Sequence, residues 1–188
     1  MQKSKTRLFI EKQISQNLMI YIKEKQLHFL KNVLRVKLDD VISIFDGNSG
    51  EWNAKIISIS KEKIALKVLK KIKEFETQPD IWLIFAPIKL FRLNITIQKA
   101  VELGVSKFIP CKTEFSNYNK LNYKNLELNA IEAAQQSERL DVPEIEKIIL
   151  SIAISILILS RISLKSFSIK ILNYQIIHFF FYQLIALR

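Results

Sequence analysis

The stretch from residue 80 to residue 110 constrains the fold more than any other part of the chain. Residues 80–86 form an apolar run that predicts a strand ending before Pro87. The apolar residues that follow recur at intervals of three and four, which predicts one buried helical face. That face comprises Leu90, Leu93, Ile97, Ala100, Val101 and Gly104. Gly104 predicts a left-handed helix end, and residues 107–110 predict a second strand, so the stretch is typical of a βαβ unit.

Lys89 and Arg92 come directly after the first strand of this unit. A βαβ unit implies a parallel sheet covered by helices, and the ligands of such sheets bind at the carboxyl ends of the strands. Both cations are therefore candidates for ligand contacts. The alternative is that they belong only to the solvated face that a surface helix needs.

The rest of the chain divides into short strands before this unit and a helix after it. Strands are predicted at residues 7–10, 41–46, 51–59 and 63–69, with a helix at 23–34 whose Leu27, Leu30 and Leu34 share one face. Residues 46–50 predict a hairpin loop with glycines at positive φ, and Asp39 is expected to adopt a left-handed conformation. A second helix is predicted at 121–139, with Leu126, Ala130, Ala133 and Ala134 facing inward.

Several motifs occur in a fixed order across residues 6–145. They are Lys89-x-x-Arg92 with residues 97–105, Pro110, residues 113–116, residues 132–139 with Val142-Pro143, and upstream residues 7–9, 28–37 and 44–47. In this set of motifs the chain resembles the ribosomal RNA small subunit methyltransferase E family. The resemblance implies an α/β fold in which a small PUA-like β-barrel precedes a SPOUT (trefoil-knot) methyltransferase domain. It also implies a cytoplasmic homodimer that acts in ribosome biogenesis, using S-adenosyl-L-methionine to methylate N3 of a uridine in 16S ribosomal RNA of the small ribosomal subunit.

The resemblance also suggests domain bounds and site residues. A PUA-like RNA-binding barrel is expected at 1–70, a linker at 71–79, the N-terminal half of the SPOUT domain at 80–147 and an atypical apolar tail at 148–188. The candidate RNA contacts are Arg7, His28, Arg35 and Lys37; the candidate catalytic cations are Arg139, Lys89 and Arg92; and Glu114 and Gln136 are expected to border the active site. A cation beside the uracil oxygens would stabilise the anion that forms when N3 loses its proton. The sequence does not choose among the three cations, and it names no proton acceptor. For His28 a partly buried helix position, and for Glu114 a role in capping a turn, are open alternatives.

Charge is uneven along the chain. Residues 1–79 carry 16 basic against 9 acidic groups, residues 80–147 carry 9 against 9, and residues 148–188 carry 4 against none. A basic first segment beside a neutral second one favours a polyanion-binding module joined to another module, although lysine-rich composition alone would give the same excess. The single Cys111 excludes an internal disulfide, no Cys/His cluster predicts a metal site, and the N-terminus shows no secretory signal, so the cytoplasm is expected.

The tail departs from the family pattern. From residue 148 the chain is rich in isoleucine and phenylalanine, and it lacks the family's Gly-Pro-Glu-Gly-Gly cofactor loop. Three explanations remain open: a change of reading frame near residue 147, a membrane anchor, and a divergent strand. Against the anchor, the longest apolar run is short of the ~20 residues needed to span a bilayer. The missing glycines predict weak or no binding of S-adenosylmethionine, so no cofactor-binding residue is named. A non-catalytic RNA-binding protein is the alternative function, and a membrane-associated protein the third.

Overall fold

The computed structural model describes residues 4–112 and 121–150. They form two sheets, one in the first part of the chain and one in the second part. The first part contains β1 (Arg7–Phe9), β2 (Met19–Ile22), α1 (Glu24–His28), a π-helical turn (Phe29–Val33), β3 (Val41–Phe45), β4 (Glu51–Ile59) and β5 (Ile64–Lys73). The second part contains β6 (Trp82–Phe85), α2 (Leu90–Glu102), β7 (Lys107–Lys112), α3 (Tyr123–Gln136), β8 (Glu144–Ile145) and β9 (Ile149–Leu150). No helix in these two ranges is long and apolar enough to cross a membrane.

The first sheet has the strand order β1-β3-β4-β5-β2. β1 runs parallel to β3, and the remaining neighbours are antiparallel. The expected PUA-like barrel is open in the described residues, because the edge strands β1 and β2, which are three and four residues long, do not pair with each other. Its core is made of buried Ile, Leu and Val side chains around Leu30, Ile42 and Ile56.

The hairpin of β3 and β4 was predicted correctly, whereas the length of β5 was not. Gly47 and Gly50 have φ of +87° and +92°, as the loop requires. The predicted strand at 63–69 was too short, because the nine-residue β4 continues to pair with its neighbour until Glu51 faces Lys73. β5 therefore extends into the segment expected to be a linker. A Cβ on Gly50 would overlap the Lys73 carbonyl oxygen, so only glycine fits where these strands meet.

The predicted helix at 23–34 is broken into two kinds of helix. Regular α1 ends at His28, and the backbone then widens into a π-helical turn in which the Leu34 N–H donates to the Phe29 carbonyl, five residues back. Leu27 and Leu30 are buried as expected, but Leu34 is only partly buried. The left-handed conformation of Asp39 is confirmed, with φ of +68°.

The βαβ unit is confirmed, since β6 and β7 are parallel and flank α2. Leu93, Ile97, Ala100 and Val101 are buried, and Gly104 has φ of +95°. Leu90 was wrongly placed in the core: it begins the helix at the edge of the sheet and is 47% exposed. In α3 the four predicted residues, Leu126, Ala130, Ala133 and Ala134, are all buried.

Helices α2 and α3 lie on one face of the second sheet and run parallel to each other. Contacts join their first halves, where the Asn129 amide donates to the Asn94 carbonyl, and Arg139, in the turn after α3, donates to the Val101 carbonyl in the last turn of α2. Their apolar faces form a core with Phe85 and Phe108 of the sheet. The strands thus have a carboxyl edge, where α2 and α3 begin, and an amino edge, where both helices end.

A β-bulge interrupts the strand beside β7. Phe108 pairs with Ile145 and Cys111 with Ile149, so three residues of β8–β9 face two residues of β7. One of those two is Pro110, which has no N–H to donate. The N–H of Ile148 donates instead to the Tyr123 hydroxyl at 2.8 Å. Ile149 and Leu150, near the start of the apolar tail, continue the sheet as β9.

Candidate functional site

Lys89 and Arg92 lie at the carboxyl edge, where ligands of parallel sheets bind. Pro87 and the extended backbone of Lys89 (φ −52°, ψ 137°) prevent the helix from starting earlier, so both cations fall at its first turn. Both side chains are exposed, and neither makes an ion pair or hydrogen bond to a residue in the described ranges. They remain available to an anionic ligand.

Arg139 lies at the opposite edge and is fully engaged. Its Nη1 donates to the carbonyl oxygens of Val101 (2.7 Å), in the last turn of α2, and of Val105 (2.8 Å), just beyond the end of that helix. Its Nε and Nη2 pair with the Asp141 carboxylate at 3.1 and 2.6 Å, and only 8% of the side chain is exposed. These contacts explain Arg139 as a residue that fixes the end of α2 to the turn after α3.

The predicted active-site residues therefore fall into two groups. Gln136 ends α3 and lies with Arg139 at the amino edge. Nine residues separate Arg92 from Val101, which corresponds to about 14 Å along a helix. Within one chain Arg139 and Gln136 do not converge with Lys89 and Arg92 on one reacting atom. Glu114 lies outside the described residues.

Arg7 joins the two parts of the chain rather than facing solvent. Its guanidinium pairs with both oxygens of Glu51 (2.9 and 3.3 Å) and donates to the carbonyl oxygens of Ala134, Gln135 and Arg139 at 3.3, 3.1 and 3.1 Å. It also lies 4.7 Å from the centre of the Phe45 ring. The Arg7 and Glu51 side chains are 12% and 11% exposed. Because its donors are taken up in this way, Arg7 has none free for an RNA phosphate.

A second contact runs beside the Arg7 contact between the same two elements. The Gln135 amide oxygen accepts from the Phe9 N–H at 2.9 Å. The Phe9 carbonyl in turn accepts from the Gln26 amide of α1 at 3.0 Å. Gln135, which the sequence did not single out, thus ties the end of α3 to β1. Its neighbour Gln136 is exposed.

His28, Arg35 and Lys37 are exposed on the first part of the chain, and within the described ranges their side chains accept or donate no hydrogen bond. The exposure of His28 excludes the partly buried alternative. Arg35 has φ of +50°, an uncommon value outside glycine, asparagine and aspartate. The turn is held by Asp40, whose carboxylate accepts from the Lys37 N–H (2.6 Å) and from Lys5 Nζ (2.7 Å). The Lys5 hydrogen bond, followed by the Lys37 N–H, lowers the pKa of Asp40.

The described residues also include a free cysteine and a small cleft. Cys111 is free and buried in β7, and burial raises the pKa of its thiol. Within residues 4–112 and 121–150 no three His, Cys, Asp or Glu side chains are grouped to hold a metal. A cleft of about 190 Å³ lies between Lys73 and the turn at 137–140, away from the carboxyl edge.

Sequence reasoning missed three more lysines at the carboxyl edge. Lys112 ends β7, Lys124 lies in the first turn of α3, and Lys147 precedes β9, with its Nζ 4.2 Å from the Tyr123 ring centre. Lys112 and Lys124 share a signal of position, because one ends a strand and the other begins the helix that follows it. Lys147 lies between β8 and β9 without such a signal, and its contact with Tyr123 in the first turn of α3 places it at this edge.

Comparison with known proteins agrees with both parts of the fold. A family described as "RNA methyltransferase PUA domain" matches residues 22–69, and one described as "RNA methyltransferase domain" matches residues 76–166. The two matches define an RNA methyltransferase domain preceded by its PUA domain. The second match continues past Lys147 into the apolar tail.

Relatives with assigned names make the family more specific. Ribosomal RNA small subunit methyltransferase E of Rickettsia conorii is 34% identical over 144 residues, covering 76% of this chain and 59% of the relative. The enzyme of the same name from Buchnera aphidicola subsp. Acyrthosiphon pisum is 33% identical over 147 residues, covering 74% and 58%. The chain belongs to the ribosomal RNA small subunit methyltransferase E family, and it spans about three fifths of the length of these curated relatives.

Solved structures show the same fold. A predicted RNA methyltransferase from Thermotoga maritima superposes with a TM-score of 0.64 at 27% identity, covering 77% of this chain and 66% of the other. The ribosomal RNA small subunit methyltransferase E of Neisseria gonorrhoeae, solved with S-adenosyl methionine bound, gives a TM-score of 0.69 at 24% identity, covering 77% and 62%.

Proposed function

We propose that this chain methylates N3 of a uridine in 16S ribosomal RNA, with S-adenosyl-L-methionine as methyl donor, as a cytoplasmic homodimer acting on the small ribosomal subunit. The observation that carries the proposal is the order of the two domains: an open sheet of PUA type with exposed basic residues is joined through Arg7 to a parallel sheet that carries free cations at its carboxyl edge. Each domain matches its own RNA methyltransferase family.

Lys89 and Arg92 are the residues to which we assign charge stabilisation. Methylation at N3 requires loss of the N3 proton, and the resulting negative charge spreads to the uracil oxygens. Exposed cations with no partner among the described residues can approach those oxygens and stabilise the anion. Arg139 does not take this role in our proposal, because its donors are engaged at the amino edge. It supports the site by holding the end of α2.

The described residues do not form a cradle for the methyl donor. The chain has three glycines, at positions 47, 50 and 104; two lie in the hairpin loop between β3 and β4, and the third lies at the amino edge. No glycine therefore lets the backbone approach a nucleoside at the carboxyl edge. This observation favours a second candidate function, a non-catalytic RNA-binding protein of the same family.

Two measurements separate these functions. Transfer of labelled methyl groups from S-adenosylmethionine to small ribosomal subunits, with arrest of reverse transcription at one uridine, supports methyltransferase activity, because a methyl group at N3 blocks base pairing. Absence of transfer, together with absence of donor binding in calorimetry and retention of RNA binding, supports the second candidate. Loss of transfer in Arg92→Gln, with unchanged RNA affinity, would support the role assigned to that cation.

A further inference from the structure

Charges in the second part of the chain are separated by edge. At the amino edge, each described cation has an acidic partner: Lys99 pairs with Glu102, Lys107 with Glu144 and Glu146, and Arg139 with Asp141. At the carboxyl edge, none of the five cations forms an ion pair with a described residue; these are Lys89, Arg92, Lys112, Lys124 and Lys147. Residues 80–147 therefore form a basic edge even though they carry equal numbers of basic and acidic groups.

Folding does not explain this basic edge. The first turns of α2 and α3 contain no acidic residue, and Arg92 and Lys124 stand there instead. Cations near the N-terminus of a helix interact unfavourably with the helix dipole. Lys112 lies on the same face of β7 as Phe108, which packs against the helices, because side chains alternate along a strand. The lysine thus adds its charge on the side where α2 begins.

Phe91 adds an exposed aromatic ring to this edge. It lies between Lys89 and Arg92 and is 77% exposed, although its ring is the largest side chain in the first turn of α2. It stands two residues, or about 200° of helix, from the buried Leu93. Ile95, one turn later, is 44% exposed beside it. An aromatic ring among unpaired cations is suited to stacking on a base whose flanking phosphates contact the cations.

We propose that the carboxyl edge is a second RNA-binding surface, on which Phe91 stacks against an unpaired base and Lys112, Lys124 and Lys147 contact the backbone beside it. This inference rests on the proposed function and extends it. The surface is separate from the one formed by His28, Arg35 and Lys37 on the first part of the chain. Through the two surfaces, RNA contacts both the first and the second part of the chain.

The stacking role is tested with the full chain, a fluorescein-labelled oligouridylate and the same strand in a duplex with oligoadenylate. Phe91→Ala is expected to weaken binding of the single strand roughly tenfold, because one base loses the ring on which it stacks. Binding of the duplex should weaken much less. Leu103→Ala is the matched control, because Leu103 is an 81% exposed apolar residue at the other end of α2. Equal effects of the two substitutions, or none from either, would overturn the role of Phe91.

The charge role is tested by the salt dependence of the same binding reaction. Lys124→Gln is expected to reduce the slope of log affinity against log salt concentration by about 0.7, the contribution of one phosphate contact on a single strand. Lys99→Gln, which removes an amino-edge cation paired with Glu102, should leave the slope unchanged. An unchanged slope in Lys124→Gln contradicts the proposal.

Two controls distinguish failure of this inference from failure of the proposed function and from a role of Phe91 in dimer contacts. If Arg35→Ala weakens RNA binding while Phe91→Ala and Lys124→Gln do not, the second surface is refuted and the proposed function stands; if the unmodified chain binds no RNA, both fail. Sedimentation of Phe91→Ala decides the remaining case. Dissociation of a dimer with unchanged RNA affinity per chain would assign Phe91 to contact between copies and overturn the proposal.

Discussion

Replacement of Arg7 by alanine should separate the unfolding of the two parts of the chain. The substitution leaves the Glu51 carboxylate, 11% exposed, without its cation and removes the donor from three carbonyl oxygens. Breaking a buried ion pair by removing one partner costs about 3–5 kcal/mol, because the remaining charge stays buried. We therefore expect the free energy of unfolding of Arg7→Ala to fall by that amount.

The two tryptophans allow each part to be followed separately. Trp52 lies in β4 and Trp82 in β6, one in each sheet. Urea unfolding of Trp52→Phe and Trp82→Phe, followed by fluorescence, should give coincident midpoints when Arg7 is present. With Arg7→Ala added, the two midpoints should differ, because the main polar contact between β1 and α3 is lost.

Lys55→Ala provides the control for this experiment. Lys55 also forms an ion pair, with Asp39, but the two side chains are 41% and 76% exposed. Exposed pairs contribute about 0–1 kcal/mol, so this variant should unfold almost as the parent does. A cost below about 1 kcal/mol for Arg7→Ala, or midpoints that stay coincident, would refute the role of Arg7 in joining the two parts.

Three smaller perturbations have distinct expectations. Gly50→Ala should lower the free energy of unfolding by about 1–3 kcal/mol. The cost should exceed that of Gly104→Ala, because a Cβ at position 50 overlaps the Lys73 carbonyl oxygen, whereas a Cβ at position 104 meets no atom within 4 Å. Equal costs of the two substitutions in thermal denaturation would contradict this. Burial opposes ionisation of Asp46, but hydrogen bonds from the N–H groups of Ser49, Asn48 and Ile14 and from the Ser49 hydroxyl outweigh it and lower its pKa. Its contribution to stability is therefore present above about pH 4 and is lost as the pH falls below that value, and Asp46→Asn should flatten this part of the unfolding profile. Tyr123→Phe removes the acceptor of the Ile148 N–H and should cost about 1 kcal/mol, unlike Tyr21→Phe, whose side chain is 52% exposed.

The sequence predicted most of the regular structure because its periodicity reports burial directly. The inward faces of α2 and α3 follow from apolar spacing, and Gly104 and Asp39 occupy the left-handed positions that their chemistry allows. The π-helical turn and the end of β5 depend on pairing with distant residues, so no local pattern indicates them. The same reason applies to the open sheet, since closure depends on whether two short edge strands meet.

For the candidate site, the sequence identified residue types better than their places. Lys89 and Arg92 were expected at a strand end and lie there. Arg7 and Arg139 were assigned to RNA and catalysis because arginine serves both, but each donates to carbonyl oxygens and pairs with a carboxylate of the fold. A single sequence does not distinguish an arginine that binds a ligand from one that binds backbone, because the partner carbonyls belong to every residue alike.

Ultraviolet crosslinking of the full chain to 16S ribosomal RNA, with the crosslinked peptides identified by mass spectrometry, tests the position of RNA on this fold most directly. We expect crosslinks at the carboxyl edge, in peptides that contain Phe91, Lys112 or Lys124, and in the turn that carries Arg35 and Lys37. Crosslinks confined to the amino edge, around Leu103 and Glu138, would contradict both RNA-binding surfaces.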